Sequence, residues 1–388
     1  MKIVIAPDSF KGSLTAIEVA GFIEDGIKQA DTNIEVVKLP VADGGEGTVE
    51  ALVAATGGQI VKQRVHGPFM EEVDSFFGIL GNGRTAVIEM AACSGLTLVR
   101  KEELNPLMTT TYGVGELILA AVRTGCKKII VGIGGSSTND GGMGMAQALG
   151  YRFYDKNKNI LGQGGKYVGE VASIDSQNFN NDLNDIEIVV ACDVKNPLCG
   201  QNGASHIYGP QKGATNEMIE LLDRGLENFA DIIKRDIGKD IRDIPGSGAA
   251  GGLGGGMIAF LKQSKLCPGI DIVIENCNFR EIIKDCDLLI TGEGQTDSQT
   301  ANGKVVAGLA SEAKRYDIPV VCLSGSLKEG YQKTYACGVD AAFSDIIAPM
   351  TLEEAMRLTP QMLTQTSYSI ARLMLKIYSK AKAKFQDK

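Results

Sequence analysis

Short apolar runs that each end in an acidic or glycine-rich loop recur along this chain, and that pattern restricts its fold more than any other feature. Residues 2–6 (KIVIA) lead into PDSFKGS and residues 34–41 into ADGGEGT. Residues 128–133 lead into GGSSTNDGG, 186–192 into DVKNPLCG and 287–291 into GEGQTDSQT. Further strand-type runs lie at 270–274 and 319–323, and residues 58–92 read as strands joined by turns at Gly67-Pro68 and Gly81-Asn82-Gly83.

Helical periodicity fills the intervals. In residues 15–30, Ala16, Val19, Ala20, Ile23, Ile27 and Ala30 recur at three- and four-residue spacing, and Thr15 with Glu18 forms a capping box. Residues 48–56, 114–123 and 143–149 follow suit, as does the stretch carrying Met218, Leu222, Leu226, Phe229 and Ile233. Near the C-terminus Thr351 and Glu354 offer another capping box, and Thr359-Pro360 predicts a helix that restarts with proline at its first position. The closing KAKAKFQDK reads as a solvated helix end. Strands alternating with helices signal parallel sheets with crossover helices, an α/β class. At 388 residues two domains are expected. The texture becomes turn-rich near residues 58–66 and regular again near Asp285, which predicts a discontinuous domain, 1–62 with 285–388, around an inserted one, 63–284.

Composition narrows the chemistry. The net charge is −8, and no block of Lys or Arg is long enough for a nucleic-acid stripe. No apolar run approaches the ~18 residues of a membrane helix. Nine cysteines without a C-x-x-C predict reduced thiols in a cytoplasmic protein. Only two histidines, His66 and His206, argue against zinc and leave carboxylate-held Mg2+ open. Small-molecule chemistry, by a monomer or homodimer, is the class that remains.

Acids and glycines gathered at strand C-termini are where ligands bind in open α/β sheets. One such loop alone reads equally well as a polar turn; five together point to a ligand-binding edge. Glycines let backbone N–H groups approach an oxyanion, so GGSSTNDGG is a candidate anion cradle, and GSGAAGGLGGG at 246–256 holds more glycine than one turn requires. Asp193, or Glu293 with Asp297, could hold Mg2+ or take a proton. Lys11 and Lys212 supply positive charge among loops that otherwise carry acids. Walker A is absent, because Gly303-Lys304 runs into Val305. Gly246-Ser-Gly248-Ala-Ala-Gly251 fits G-x-G-x-x-G with Asp271 downstream, but the polar, proline-broken IRDIP precedes it where a dinucleotide fingerprint requires a strand.

Seven motifs in order resemble the type I glycerate kinases, whose bacterial members include glycerate 2-kinases. They are APDSFKGSLTA (6–16), ADGGEGT (42–48), GIGGSSTNDGGMG (132–144), ACDVKNPLCG (191–200), YGPQKGAT (208–215), PGSGAAGGLGGG (245–256) and TGEGQTDSQT with Gly303-Lys304. The resemblance implies a two-domain α/β fold: a flavodoxin-like parallel-sheet domain, a second mixed α/β domain, and an active site in the cleft between them. It also implies ATP-dependent phosphorylation of D-glycerate with Mg2+, most often at the 2-hydroxyl, with the 3-hydroxyl as alternative. Rival classes are an NAD-dependent hydroxyacid dehydrogenase and a non-catalytic nucleotide-binding module. Two positions depart from the family pattern, His66 before Gly67-Pro68 and Leu104 before Asn105-Pro106, where an Arg is expected.

Phosphoryl transfer asks a protein for alignment and electrostatics, and position assigns the roles. Asp193 is the expected proton acceptor, with Asp8 as second choice and Lys11 as screening cation. Gly134, Gly135, Ser136, Ser137, Gly251, Gly252, Gly254, Gly292 and Gly294 are expected at the nucleotide. Ser9, Asp43, Gly44, Gly45 and Lys212 are expected at the substrate, and Glu293 with Asp297 at the metal.

Overall fold

The computed structural model describes residues 1–42, 44–301 and 304–386. Asp43, expected at the substrate, and Gly303, in the last of the seven motifs, lie outside them. The chain forms two compact units, one of residues 1–43 with 270–388 and one of residues 44–269.

In chain order, the first unit opens with β1 (Lys2–Pro7), α1 (Ala16–Ala30) and β2 (Glu35–Lys38). The second unit contains α2 (Thr48–Thr56), β3 (Gln59–His66), β4 (Glu72–Ile79), β5 (Thr85–Glu89), α3 (Ala91–Ser94), α4 (Tyr112–Arg123), β6 (Lys128–Gly132) and α5 (Met143–Ala148). It continues with β7 (Arg152–Tyr154), β8 (Ser173–Asp175), β9 (Glu187–Ala191), α6 (Ala204–Tyr208), α7 (Asn216–Asp236), α8 (Leu253–Phe260) and β10 (Ser264–Cys267). The chain then returns to the first unit through α9 (Gly269–Asn276), α10 (Phe279–Ile283), β11 (Leu288–Gly292), β12 (Gln295–Thr296), α11 (Val305–Lys314), β13 (Val320–Ser324), β14 (Ser326–Leu327), α12 (Lys333–Ala336), β15 (Ala341–Ser344) and α13 (Leu352–Gln386).

The main sheet of the first unit has the order β15-β13-β11-β1-β2 and every pairing is parallel. Numbered by appearance this is 2-1-3-4-5, the flavodoxin-like order, whose switch point falls between β1 and β11. Ile3, Ile5, Leu288, Ile290 and Leu323 from the strands pack with Val19, Ile23 and Ile27 of α1 and Leu363 and Ile370 of α13. The capping box of α1 forms, with the Glu18 amide on Thr15 Oγ1 and the Thr15 amide on Glu18 Oε2.

The second unit has the order β10-β9-β6-β5-β4-β3. β10, β9, β6 and β5 run parallel, and β4 is antiparallel to both β5 and β3, so the sheet is mixed. Its core joins Ile88, Ile129, Val131, Ile188 and Val190 to Leu117 and Ile118 of α4 and to Leu226, Phe229 and Ile233 of α7.

Three expectations need correction. The units divide at 43/44 and 269/270, where 62/63 and 284/285 were expected. The reason is packing: a Cβ on Gly78 of β4 would lie 2.5 Å from Val53 of α2, and one on Gly308 of α11 would lie 2.4 Å from Ile270 of α9. Helix α2 therefore belongs to the mixed sheet, and α9 to the parallel one. Residues 270–274 are helical, not a strand; Asp271 and Glu275 share the exposed face while Ile270, Val273 and Ile274 are buried, and the strand is the polar segment just before them. Finally, α13 runs unbroken through Pro360. The capping box at Thr351 and Glu354 does form. Proline removes the N–H that would reach the Met356 carbonyl, and Ser13 Oγ donates to that carbonyl instead, at 2.9 Å.

All nine cysteines are free thiols, with Cys93, Cys126, Cys277, Cys286 and Cys322 buried. No helix among the described residues is long and apolar enough to cross a membrane.

Candidate active site

In the first unit, the loops after β1 and β11 leave the sheet side by side at the switch point. The Asp8 amide donates to the Gly292 carbonyl at 2.8 Å, and the Ser9 amide to Asp8 Oδ1 at 2.6 Å. Close approach requires glycine at 292 and makes a side chain tight at 294. A Cβ on Gly292 would sit 1.7 Å from the Leu323 carbonyl, and one on Gly294 would meet Phe10 Cα and the Lys11 amide at 3.2 Å. Lys11 is exposed beside that contact.

Glu293 follows β11 and is half-buried. Its Oε1 accepts from Thr300 Oγ1 at 2.6 Å and Thr296 Oγ1 at 3.2 Å. Burial raises its pKa above the usual carboxylate range, opposed by the Thr300 hydroxyl and the Lys304 charge. Its Oε2 has no hydrogen-bond partner among the described residues. Asp297, whose Oδ1 takes the Gln299 amide at 2.7 Å, adds a second negative charge that also raises the Glu293 pKa. Two neighbouring carboxylates suit Mg2+, which needs only one or two protein carboxylates beside phosphate and water. Among the described residues no group of three or more His, Cys, Asp or Glu converges as a closed metal site.

In the second unit the loops after β6 and β9 leave the same end of the sheet. Asp193 is exposed there, with Oδ1 accepting from the Gly269 amide at 2.9 Å. Gly44 and Gly45 lie across these strand ends. The Gly134 amide donates to the Gly44 carbonyl at 3.2 Å, and a Cβ on Gly134 would lie 2.9 Å from Gly45 Cα.

The loop 134–140 divides into an open tip and a lashed base. Gly135 is exposed with φ +73°, while residues 136 to 140 are buried. The Leu96 amide bonds the Gly135 carbonyl and the Ser137 amide bonds the Ser94 carbonyl. This pairing leaves the N–H groups of Gly135 and Ser136 without a partner among the described residues. Successive amides around a left-handed glycine form an anion-binding concavity. Ser137 is otherwise engaged, its Oγ donating to the Ser94 carbonyl at 3.0 Å.

Gly252 and Gly254 are not open donors, and Gly251 is buried with them. The Gly252 and Gly254 amides bond the Ala249 carbonyl, both at 3.2 Å, and the Gly251 carbonyl accepts from Gly141 at 3.0 Å. A Cβ on Gly251 would lie 2.0 Å from the Thr138 carbonyl. These glycines lock the 246–256 loop against the base of the 134–140 loop. The stretch also lacks the strand that a dinucleotide fingerprint needs before it.

Lys212 is 1% exposed. Its Nζ donates to Ser136 Oγ at 2.8 Å and to the Thr138 carbonyl at 2.5 Å. Burial pulls its pKa down to about 7, and the charge of Asp140 pushes back.

Three groups escaped the sequence reading. Asp140, fully buried, accepts from the Thr111 amide at 2.8 Å, the Gly142 amide at 3.0 Å and the Gly144 amide at 3.2 Å; its pKa is raised by burial. The threonines at 109–111 tie this acid and the Ser137 carbonyl to the start of α4. Glu89, closing β5, is 4% exposed and accepts from the Val49 amide at 2.7 Å. Burial raises its pKa to about 7 against the pull of that bond and one from Gly47. The available signal was a glutamate directly after the apolar run at residues 86–88. A concavity of about 480 Å³ faces outward on β3 and β4, lined by Ile60, Lys62, Arg64 and Ser75, and contains none of the expected site residues.

Acids at the carboxyl ends of a flavodoxin-like sheet, and an amide-lined anion cradle at those of a mixed one, define an α/β enzyme acting on a small molecule. The glycerate kinase family model matches residues 3–375, and the chain belongs to that family. It is 50% identical over 371 residues to the glycerate kinase of Bacillus subtilis strain 168, covering 96% of this chain and 97% of that one. The glycerate 2-kinase of Escherichia coli K12 is equally similar, at 50% identity over 371 residues, 96% of this chain and 97% of that one. A crystal structure of a Salmonella typhimurium LT2 protein, provisionally named glycerate kinase 2, superposes with a TM-score of 0.88 at 48% identity, covering 98% of this chain and 99% of that one.

Proposed function

We propose that this enzyme transfers the γ-phosphoryl group of ATP to the 2-hydroxyl of D-glycerate, forming 2-phospho-D-glycerate and ADP. The observation that carries this reading is the near-complete, 50% identical match to a protein named glycerate 2-kinase. The Gly135 and Ser136 amides, which have no partner among the described residues, support it, being suited to phosphate or carboxylate oxygens.

Such a reaction needs an aligned hydroxyl, stabilised equatorial oxygens and a group to receive the proton. Asp193 is the proposed acceptor of that proton, and Asp8 the second choice. Gly135 and Ser136 are proposed as phosphate donors, with Gly134, whose amide is held by the Gly44 carbonyl, shaping the loop beside them. Ser9, Gly44 and Gly45 are proposed at the glycerate, with Lys11 as the exposed cation for its carboxylate. Glu293 and Asp297 would hold Mg2+, which would neutralise phosphate charge. The nine free thiols support a cytoplasmic location.

A coupled assay of ADP release with and without D-glycerate tests the reading. Release that depends on D-glycerate supports it. Nicotinamide reduction, or nucleotide binding without turnover, would replace it with one of the rival classes. The 31P NMR spectrum of the product decides between the 2- and 3-positions.

A further inference from the structure

Among the described residues, Lys212 is the one strongly buried amine whose hydrogen bonds reach the anion cradle from behind. Its two bonds, to Ser136 Oγ and to the Thr138 carbonyl, span the residues that follow the open tip Gly134-Gly135. With 1% exposure the ammonium cannot itself touch a ligand; whatever it does for binding, it does through that loop. Ser136 joins the two layers, because its amide faces the cradle while its hydroxyl accepts from Lys212.

We propose that Lys212 is a positioning residue, acting through Ser136 Oγ to fix the Gly135 and Ser136 amides toward an anionic oxygen of the ligand. This replaces the expected direct contact between Lys212 and substrate, and it rests on the phosphotransferase reading above. The physical basis is twofold. A charge-assisted bond holds the serine hydroxyl, and hence its backbone, in one orientation. The same cation, behind a short hydrogen-bond chain in a low-dielectric interior, favours negative charge at the amides. The charged group that bears on Lys212 is the buried carboxyl of Asp140, itself held by Thr110, Thr111, Gly142 and Gly144. Pinned by those donors, it balances the ammonium without competing for the cradle.

The oxygen could belong to an ATP phosphate or to the glycerate carboxylate, so each ligand is varied with the other saturating. Lys212→Met and Ser136→Ala should each raise the KM of the same ligand about tenfold, with a smaller change in kcat. Whichever KM moves identifies the ligand. The double variant should be no worse than either single one, because both remove one chain of interaction. The wild-type KM for that ligand should rise between pH 6.5 and 8.5 as the buried ammonium loses its proton, and Lys212→Met should flatten the profile.

An additive, roughly hundredfold loss in the double variant would overturn the proposal. So would a lowered unfolding midpoint with both KM values and the pH profile unchanged. Ser136→Ala removes one hydroxyl and keeps the test open if Lys212→Met fails to fold: a Ser136→Ala enzyme with both KM values unchanged also overturns it. Calorimetric binding of ATP and of D-glycerate to the same variants needs no turnover, so an error in the proposed reaction is distinguishable from an error about Lys212.

Discussion

Ser13 Oγ lies 2.9 Å from the carbonyl of Met356, the acceptor left open by Pro360 four residues later in the same helix. The hydroxyl stands in for the N–H that proline lacks, and ties the loop after β1, which carries Asp8 and Lys11, to the C-terminal helix. Ser13→Ala should lower stability by about 1 kcal/mol, the usual net value of one hydrogen bond. With Pro360→Ala, residue 360 regains its N–H and can bond Met356 directly. The cost of Ser13→Ala should then fall below about 0.5 kcal/mol. Urea unfolding of the four proteins in this cycle measures it; equal costs in both backgrounds would show that the serine does not compensate for the proline.

Glu89 gives the mixed unit a pH-dependent stability. Its folded pKa of about 7 lies above the ordinary 4.5, so between those values the native state holds more proton than the unfolded chain. Stability from this group is complete below pH 4.5 and lost as pH rises through 7. At 1.36 kcal/mol per unit the loss is about 3 kcal/mol. Glu89→Gln does not titrate, so its unfolding free energy should change less between pH 5 and pH 8 than that of the wild type. Parallel pH curves for the two proteins would refute this.

Asp193 and Lys11 test the chemical roles separately. Asp193→Asn should reduce kcat by ~10²-fold or more if the carboxylate takes the hydroxyl proton; a change within twofold rejects that role and turns attention to Asp8→Asn. Lys11→Met should raise the KM for D-glycerate with little loss of kcat, the signature of lost uniform binding. A fall in kcat at unchanged KM would place the cation at the transition state instead.

The strands and most helices were readable because the chain repeats a local signal. Val19, Ile23 and Ile27 keep helical spacing, and residues 129–133 form an unbroken apolar run. What failed was either ambiguous locally or set by distant residues. The IDIV stretch is equally apolar as strand or helix, and only the exposed pair Asp271 and Glu275, four apart, separates the two. Pro360 looks like a helix start until Ser13, far away in sequence, is seen on the Met356 carbonyl. At the site, the acids and glycines that follow strands were visible, because that is where sheets of this kind place ligands. The sequence does not distinguish glycines that admit a ligand from glycines that admit another loop, and Asp140 and Lys212 owe their roles to burial by distant segments.

That distinction between glycines yields a paired prediction. Gly251 has φ +68°, and a Cβ there would overlap the Thr138 carbonyl at 2.0 Å. Nothing in that contact is a flexible side-chain end, so backbone must move, and Gly251→Ala should cost about 3 kcal/mol or more. Gly135 has φ +73° but is exposed, with Ala91 Cβ 3.3 Å from the added carbon. Gly135→Ala should cost only about 1 kcal/mol for the left-handed backbone. Its effect should fall on ligand affinity, because it adds a side chain at the exposed tip that carries the two amides. Thermal unfolding with KM measurements on both variants checks the contrast. If Gly135→Ala left both KM values unchanged, the amides of Gly135 and Ser136 would not be the cradle; a folded, stable Gly251→Ala protein would mean that the interlock of the two glycine loops is not needed to hold them.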